Sequence, residues 1–310
     1  KKAKVSLPGG CAIGSRPVNL HLFALKKLGA KIKIKNGYIF ASANNGLFGA
    51  KIKFPNISVG ATENAILASV AAKGITVIEN CAVEPEIKDL ISFLKKLGAK
   101  IKVNKRKIII EGKILQKKVV HKVICDRIEL GTYLIGGALA AHKLKLKNIS
   151  SSLIKKELNI LKKMGVKIKI NKSFIEVYKS TNLKKISIKT EPYPGFPTDL
   201  QAQIMILMTQ AKGISKIKEN IFENRFMHVP ELKRMGAKIE INNNTAYISG
   251  PSFLNGAEVM ATDLRASVSL VLAALIADKR TNINRIYHLD RGYQELEKKL
   301  INCGASIARI

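Results

Sequence analysis

The chain has 310 residues, of which 46% are hydrophobic and 25% are charged, and it carries a formal net charge of +32. This length and composition are typical of a globular protein with a substantial core, and they exclude a disordered chain. The longest apolar run, at residues 270–277, is too short to span a bilayer, so we expect no membrane partner.

The excess of positive charge does not by itself indicate a nucleic-acid-binding protein. Lysines make up most of the 54 basic residues and occur singly or in pairs, as at Lys95 and Lys96, while only 5% of residues are aromatic. Proteins that read nucleic acids favour arginine forks and aromatic platforms. A solvated lysine surface is the better interpretation, and an anionic small-molecule substrate is compatible with it. A basic nucleic-acid-binding module is the less favoured alternative.

The four cysteines, Cys11, Cys81, Cys125 and Cys303, show neither a C-x-x-C pair nor the spacing of metal ligands. This pattern fits reduced thiols in a cytosol and predicts no metal site. The chain opens on a strand-like stretch and not on a signal peptide, so we expect a cytoplasmic protein.

A loop near the start of the chain combines residue types suited to chemistry. Cys11 lies among three glycines and two prolines, five residues before Arg16, in Leu7-Pro-Gly-Gly-Cys-Ala-Ile-Gly-Ser-Arg-Pro-Val-Asn-Leu-His21. Glycines let the backbone approach a ligand, and a nearby guanidinium favours the thiolate. On spacing alone, an ordinary Gly-Pro turn with an inert thiol explains the loop equally well.

From this loop onward, one pattern recurs along the chain. An amphipathic helix rich in leucine and lysine ends at a glycine and is followed by an alternating strand. In the first copy, a strand at residues 31–35 leads into Asn36-Gly37, a strong hairpin signal, before a second strand from Tyr38. The closing glycines are 67 to 71 residues apart, at Gly29, Gly98, Gly165, Gly236 and Gly304.

The other half of each unit is a more apolar helix followed by a strand. Such helices are predicted at residues 61–74, 131–142, 199–213 and 263–278. Each unit therefore reads βαβαββ, with the apolar helices inside and the lysine-bearing helices nearer solvent. Because the first copy closes at residue 29, it is about 40 residues shorter than the others, and we expect the sequence to be a fragment or a processed product.

Two aspartates stand at the beginning of predicted apolar helices. Asp199 lies in Tyr193-Pro-Gly-Phe-Pro-Thr-Asp-Leu-Gln-Ala-Gln203, and Asp263 lies in Ala261-Thr-Asp-Leu-Arg-Ala-Ser267. A helix N-terminus favours aspartate, so helix capping is the simplest interpretation of both residues.

The cysteine loop and the repeats together resemble those of UDP-N-acetylglucosamine 1-carboxyvinyltransferases, the enolpyruvyl transferases that begin peptidoglycan synthesis. The resemblance covers essentially all 310 residues and implies an α/β fold: an inside-out α/β barrel built of βαβαββ repeats, with two domains, the first incomplete. Residues 1–125 would carry two of three repeat units and the cysteine loop, and residues 126–310 would form the second domain. About the first hundred residues of such a protein would be missing.

The reaction implied by the resemblance is transfer of the enolpyruvyl group of phosphoenolpyruvate to the 3-hydroxyl of UDP-N-acetylglucosamine, with release of phosphate. The implied partners are these two small molecules and a complementary N-terminal segment, without a cofactor, nucleic acid or membrane. One alternative is an inactive fragment, or one piece of a split enzyme. Another is the shikimate-branch enolpyruvyl transferase, which shares the fold but lacks the cysteine loop.

The resemblance also assigns catalytic residues. Cys11 matches the proposed proton donor and fosfomycin target, and Asp199 matches the candidate base for the sugar hydroxyl. Arg265 and Arg291 match a pair that grips phosphoenolpyruvate, where guanidinium groups suit phosphate and carboxylate. Arg16 would contact substrate phosphate. The alternatives are a surface arginine for Arg16 and, for Arg291, an ion pair with its neighbour Asp290.

Further positions match substrate-binding segments of the family. Ile221 would line the uracil–sugar site, Asp263 would have a substrate-site or orienting role, and Ser58 opens a segment whose N–H groups would receive the nucleotide diphosphate. Asn19 stands where the family usually has aspartate, and Asn56 stands where it often has lysine. We expect these departures to affect the affinity for the nucleotide more than the catalysed reaction. His228 and His288 are equally well explained as structural histidines. The remaining assigned positions are Pro17, Val18, Asn19 and Leu20, and Asn56, Ile57, Val59 and Gly60.

Overall fold

The computed structural model describes residues 1–9, 17–112 and 117–310, which form alternating helices and strands. The helices are α1 (Asn19–Lys27), α2 (Val59–Val70), α3 (Pro85–Lys96), α4 (Arg127–Ala140), α5 (Lys155–Lys163), α6 (Gln201–Thr209), α7 (Val229–Arg234), α8 (Leu264–Ala274) and α9 (Leu296–Asn302). The first strands are β1 (Lys2–Ser6), β2 (Lys31–Lys35), β3 (Tyr38–Ser42), β4 (Lys51–Lys53), β5 (Ile75–Glu79), β6 (Lys100–Asn104), β7 (Lys107–Glu111) and β8 (Leu144–Lys147). The others are β9 (Lys167–Ile170), β10 (Phe174–Tyr178), β11 (Ser187–Lys189), β12 (Gly213–Lys218), β13 (Lys238–Asn242), β14 (Thr245–Gly250), β15 (Glu258–Met260) and β16 (Asn282–Asn284).

Two stretches of the chain contain the complete predicted unit. The order β4-α2-β5-α3-β6-β7 and the order β11-α6-β12-α7-β13-β14 are both βαβαββ, which confirms the prediction. The helix types also divide as predicted: all nine residues of α6 are buried, whereas Lys162 and Lys163 at the end of α5 are exposed. An all-apolar helix is stable only inside a core, and a helix with one lysine-bearing face belongs at the surface.

The strands of these two units pair in the same pattern. The sheets have the orders β4-β5-β7-β6 and β11-β12-β14-β13, in which the first pair is parallel and the other two pairs are antiparallel. The last strand of each unit therefore lies in the middle of its sheet, between the two strands that follow the helices.

The predicted hairpin after the first glycine-terminated helix is confirmed. Strands β2 and β3 are antiparallel, with Lys35 opposite Tyr38 across the two-residue turn. Asn36 and Gly37 have φ values of 51° and 74°, as a type I′ turn requires. Asparagine and glycine adopt this left-handed conformation at little cost, which explains why the sequence signal was reliable.

The described residues divide into two compact units, each with its own core. The first comprises residues 1–9, 17–112, 117–124 and 192–194, and the second comprises residues 125–191 and 195–310. Thus Pro192–Pro194, which falls in the predicted second domain, groups with the first unit. The reason is local, because Glu84 Oε1 accepts from the Tyr193 N–H at 3.4 Å and Arg106 Nη2 donates to the Tyr193 carbonyl at 3.1 Å.

The fifth copy of the repeat departs from its predicted form. Helix α9 ends as predicted and Gly304 adopts a φ of 93°, but residues 305–310 form no strand. An extended segment becomes a strand only when a neighbour pairs with it. Strand β16 pairs with β15, and within the described residues that sheet has two strands. Among the described helices, none is long and apolar enough to cross a membrane.

Candidate active site

Two of the predicted site residues, Cys11 and Arg16, lie outside the described residues. The segments predicted to bind the nucleotide lie in the first unit, where helices α1 and α2 pack together. The His21 ring lies 3.2 Å from the position that a Cβ on Gly60 would occupy, so residues 17–20 and 56–60 are neighbours. Burial lowers the pKa of His21, which keeps its ring neutral near pH 7.

Helix α2 begins directly after Ser58, in the segment that the resemblance assigns to the nucleotide diphosphate. The Ser58 hydroxyl accepts from the Ala61 N–H at 3.3 Å and caps α2. Val59 and Asn56 are exposed, while Ile57, Ser58 and Gly60 are partly exposed. A helix N-terminus with accessible backbone N–H groups suits an anion such as a diphosphate.

The second unit contains the most strongly charged group of predicted residues. Asp199 lies in a short 3₁₀ helix, Thr198–Leu200, just before α6. Its carboxylate accepts from Arg225 Nη2 at 2.7 Å and from Arg265 Nη2 at 3.5 Å, and its side chain remains 43% exposed. The side chain does not cap the helix. The capping interpretation is therefore wrong for Asp199, because two guanidinium groups attract the carboxylate away from the helix axis.

For Asp263 the capping interpretation is confirmed. Its buried carboxylate accepts from the N–H groups of Arg265 and Ala266 at 2.8 and 3.1 Å, at the beginning of α8. The cap fixes the first turn of α8, and Arg265 belongs to that turn. Asp263 therefore orients the backbone from which Arg265 extends toward Asp199.

Arg225 is a site residue that the sequence analysis did not single out. It is only 4% exposed, and its Nε is buried without a hydrogen-bond partner among the described residues. A buried cation is stable only when an anion compensates it, and Asp199 supplies that anion. A signal for it exists in the sequence, because the segment Asn224-Arg-Phe-Met-His-Val229 also resembles the family named in the sequence analysis.

Arg265 is held by a second, uncharged partner. Its Nη1 donates to the Tyr293 hydroxyl at 3.2 Å. Burial opposes the charge of Arg265, but Asp199 and Tyr293 outweigh burial and raise the pKa of Arg265 above its ordinary value. The guanidinium therefore stays charged, and its direction is set by Tyr293 on one side and Asp199 on the other.

The Tyr293 hydroxyl is the centre of a buried hydrogen-bond network. It lies 2.8 Å from Thr132 Oγ1 and accepts from Gln203 Nε2 at 3.3 Å, in addition to the bond from Arg265. Thr132 donates its own proton to the Ile128 carbonyl, so the Tyr293 hydroxyl is the donor between the two. Sequence reasoning missed Thr132, Gln203 and Tyr293. The first two are buried polar residues on apolar helices, which show no distinctive spacing, and Tyr293 lies in the loop before α9.

The other predicted residues are placed as follows. Arg291 is exposed, and its predicted partner Asp290 instead accepts from Arg309 at 2.9 and 2.6 Å, so the ion-pair alternative is wrong. Ile221 is 39% exposed. His228 is buried, and burial lowers its pKa to about 4, which agrees with a structural histidine.

Comparisons with known proteins give consistent relationships. The sequence model of the family described as EPSP synthase (3-phosphoshikimate 1-carboxyvinyltransferase) matches residues 1–300. The UDP-N-acetylglucosamine 1-carboxyvinyltransferase of Pelagibacter ubique (strain HTCC1062) is 60% identical over 310 residues, which are 100% of this chain and 74% of that relative. The protein of the same name from Rickettsia akari (strain Hartford) is 53% identical, with the same coverage.

Solved structures agree with this relationship. The enolpyruvyl transferase NikO from Streptomyces tendae matches with a TM-score of 0.91 and 25% identity, over 99% of this chain and 74% of that chain. An EPSP synthase from Acinetobacter baumannii matches with a TM-score of 0.73 and 19% identity, over 98% and 74% of the two chains. At that identity the second match shows the fold alone, and both confirm the predicted α/β fold.

Proposed function

The chain belongs to the EPSP synthase family of enolpyruvyl transferases, and from this premise we propose its reaction and the residues that perform it. The reaction is transfer of the enolpyruvyl group of phosphoenolpyruvate to the 3-hydroxyl of UDP-N-acetylglucosamine, with release of phosphate. Relatives that are 60% and 53% identical carry the name of this activity. Peptidoglycan synthesis is the process to which this product belongs.

The observation that carries the proposal is the position of Asp199 between two guanidinium groups. The addition step needs a base for the sugar hydroxyl and cations for the phosphate and carboxylate of phosphoenolpyruvate. Asp199 is partly exposed and can reach a ligand, while Arg225 and Arg265 are fixed beside it. General base catalysis depends first on such positioning.

The same geometry couples substrate binding to the availability of the Asp199 carboxylate. In the free protein, the carboxylate of Asp199 is stabilised by both arginines. An anionic substrate offers these guanidinium groups bidentate phosphate and carboxylate oxygens in place of Asp199. When the substrate takes up these donors, the Asp199 carboxylate no longer shares them and is free to accept the proton of the sugar hydroxyl. Phosphoenolpyruvate thereby prepares the base that its own reaction requires.

The remaining roles come from the family resemblance. We propose Cys11 as the proton donor to the methylene carbon, and Arg16 and Arg291 as contacts of substrate phosphate and carboxylate. Residues 17–20, residues 56–60 and Ile221 would bind the nucleotide sugar. The neighbouring positions of the first two segments support a shared role for them.

We also propose a complementary N-terminal segment as a partner and the cytoplasm as the location. The chain spans 74% of the relatives that it matches, so about a quarter of their length has no counterpart here. Cys81, Cys125 and Cys303 are free thiols, which supports a reducing compartment.

The test is phosphate release from phosphoenolpyruvate with either UDP-N-acetylglucosamine or shikimate 3-phosphate as the acceptor. It is run with the chain alone and with the N-terminal quarter of the Pelagibacter ubique relative added as a separate polypeptide. We expect release only with UDP-N-acetylglucosamine, and its loss in Cys11→Ser. Release with shikimate 3-phosphate instead would favour the shikimate-branch reaction. A folded sample that releases no phosphate under either condition would contradict the proposed activity.

A further inference from the structure

One sheet of the first unit carries lysines and aromatic rings on the same face. The sheet has the order β1-β3-β2, and both strand pairs are antiparallel. Phe40 of the central strand lies between Lys4 and Lys33. Tyr38, two residues earlier, lies opposite Lys35. Residues that are opposite one another, or two apart along a strand, share a face. We call this surface the lysine–aromatic face.

The two aromatic rings of this face are accessible to a partner. Tyr38 and Phe40 are 41% and 39% exposed, and their ring centroids lie 6.5 Å apart. Between them in the sequence, Ile39 points to the opposite face of the sheet and is buried. The sheet therefore keeps its aliphatic side for the protein core and turns two adjacent rings toward solvent.

The charge of the face is positive and uncompensated. Its lysines are Lys2, Lys4, Lys31, Lys33 and Lys35, and all five are exposed. The first acidic residue of the whole chain is Glu63, so these three strands contain no carboxylate. None of the ion pairs between described residues includes one of the five lysines. A concentration of one sign of charge attracts a polyanion from solution.

A similar row of residues in the second unit differs in charge. There Tyr247 of β14 lies between Lys216 and Glu240, so a carboxylate stands where the first unit has Lys33. The ring is again close to a lysine, because Lys216 Nζ lies 5.2 Å from the Tyr247 centroid. An aromatic residue beside a lysine is therefore a repeated structural feature, whereas an aromatic residue between two lysines distinguishes the lysine–aromatic face.

The rings favour one class of polyanion. Lys4 Nζ lies 4.4 Å from the Tyr38 centroid and 5.5 Å from the Phe40 centroid. An exposed cation–π contact is weaker than the stacking of a nucleobase on an aromatic ring. A base can therefore replace the ammonium group on the rings, and the ammonium group then pairs with a phosphate. An anionic lipid surface offers the charge but no flat ring.

The strandedness of the partner follows from the same contacts. In a duplex the faces of the bases are already stacked on one another, whereas a single strand leaves them available to aromatic side chains. Lysines bind phosphate as point charges and do not form the bidentate contacts that read base edges. The surface therefore suits a single strand and is tolerant of its sequence.

We propose that the lysine–aromatic face binds single-stranded nucleic acid, with bases stacked on Tyr38 and Phe40 and phosphates held by the flanking lysines. The total charge of the chain does not indicate this partner, but the arrangement of rings and unpaired cations on one sheet does. The binding goes beyond enolpyruvyl transfer and uses none of the residues proposed for that reaction. RNA and DNA share this chemistry, and the test compares them.

The probes are a fluorescein-labelled oligouridylate and a labelled oligothymidylate, each of about twelve nucleotides, a length that single-strand-binding modules cover. Binding is followed by fluorescence anisotropy. Unlabelled polyphosphate, which has the charge without the bases, and phosphatidylglycerol vesicles serve as competitors. Phe40→Thr removes one ring and keeps a residue suited to a strand, and Tyr247→Thr is the matched control. Lys33→Glu gives the face the charge arrangement of the Tyr247 row.

We expect saturable binding of the oligonucleotides that weakens by about 20- to 100-fold between roughly 50 and 200 mM salt, as three to five phosphate contacts require. Phe40→Thr should weaken oligonucleotide binding by about fivefold or more and leave the inhibition constant of polyphosphate unchanged, because only bases stack on the ring. Lys33→Glu should weaken both by about tenfold, and Tyr247→Thr should change neither. The tighter oligonucleotide identifies RNA or DNA as the preferred partner.

Three results would overturn the proposal: no saturable binding at low salt, equal losses in Phe40→Thr and Tyr247→Thr, or vesicles that bind the protein more tightly than either oligonucleotide. Circular dichroism and urea unfolding check that each variant is folded. If Phe40→Thr is not folded, the same substitution at Tyr38 takes its place, and Lys33→Glu still tests the location of the site. These readouts do not involve catalysis, so they stand apart from the test of phosphate release.

Discussion

The hydroxyl of Tyr293 should contribute measurably to the stability of the second unit, and Tyr293→Phe removes only that hydroxyl. The ring is 1% exposed and packs with Val268 and Leu289, so the phenylalanine ring fills the same space. What is lost is the donation to Thr132 and the bonds accepted from Gln203 and Arg265.

The magnitude follows from what each partner retains. Thr132 keeps its bond to the Ile128 carbonyl, Gln203 keeps its bond to the Asp199 carbonyl, and Arg265 keeps Asp199. No partner is left fully unpaired, so the loss is that of two neutral hydrogen bonds and one to a charged group. We expect the free energy of unfolding to fall by about 3–5 kcal/mol, at roughly 1 kcal/mol for each neutral bond and about 1.5–3 kcal/mol for the bond to the charged group.

Tyr133→Phe is the matched control. The Tyr133 hydroxyl is also buried, but it has no hydrogen-bond partner among the described residues. Removing it should change the free energy of unfolding by less than about 0.5 kcal/mol, or stabilise the protein slightly. Urea unfolding of both variants and the wild type provides the measurement. Equal losses in the two variants would refute the assignment of the network, because removing a hydroxyl with three hydrogen bonds would then cost no more than removing one with none.

Three further predictions address the helix cap, a buried histidine and a close backbone contact. Asp263→Ala should lower the free energy of unfolding by about 1–2 kcal/mol in urea titrations, and Asp263→Ser should recover most of the loss, since serine also caps helices. Because the pKa of His228 is lowered to about 4 by burial, the unfolded state binds a proton first as the pH falls through 6.5. The free energy of unfolding should therefore be about 2 kcal/mol lower at pH 5 than at pH 7 because of His228 alone. In His228→Gln, the free energy of unfolding should depend less on pH by this amount. Gly256→Ala should destabilise by roughly 1–3 kcal/mol, because the new Cβ would lie 2.1 Å from the Arg280 carbonyl oxygen. A Cβ on Gly9 would meet no atom of the described residues within 4 Å, so Gly9→Ala should be neutral in the same assay.

The repeat unit was predictable because its signals are local. The turn at Asn36 and Gly37 needs left-handed backbone, which those two residues tolerate, and the structure has it. The missing strand after Gly304 was not predictable in the same way. The sequence Ala305-Ser-Ile307 has the alternation of a strand, but a strand also needs a partner, and pairing is a property of the whole sheet.

The candidate site was predictable only in part, and again for a physical reason. Asp199 and Arg265 stand in recognisable segments, but that the two residues form an ion pair follows from the packing of α6 against α8. The capping rule assigned both aspartates alike, and it is wrong for Asp199 because a buried cation at Arg225 competes for the carboxylate. A rule based on sequence neighbours does not include a charge that lies 26 positions away.

The central claim is that Asp199 is the base and that its arginines pass to phosphoenolpyruvate. The most direct measurement is the steady-state rate of phosphate release in Asp199→Asn and wild type, with phosphoenolpyruvate varied at saturating UDP-N-acetylglucosamine and the complementary segment supplied. We predict that kcat falls by about 10²–10⁴-fold, because asparagine cannot accept the proton. The KM for phosphoenolpyruvate should stay the same or decrease, because in the variant no carboxylate at position 199 competes with phosphoenolpyruvate for Arg225 and Arg265. An unchanged kcat with a raised KM would contradict the account, since Asp199 would then contribute to binding and not to proton transfer.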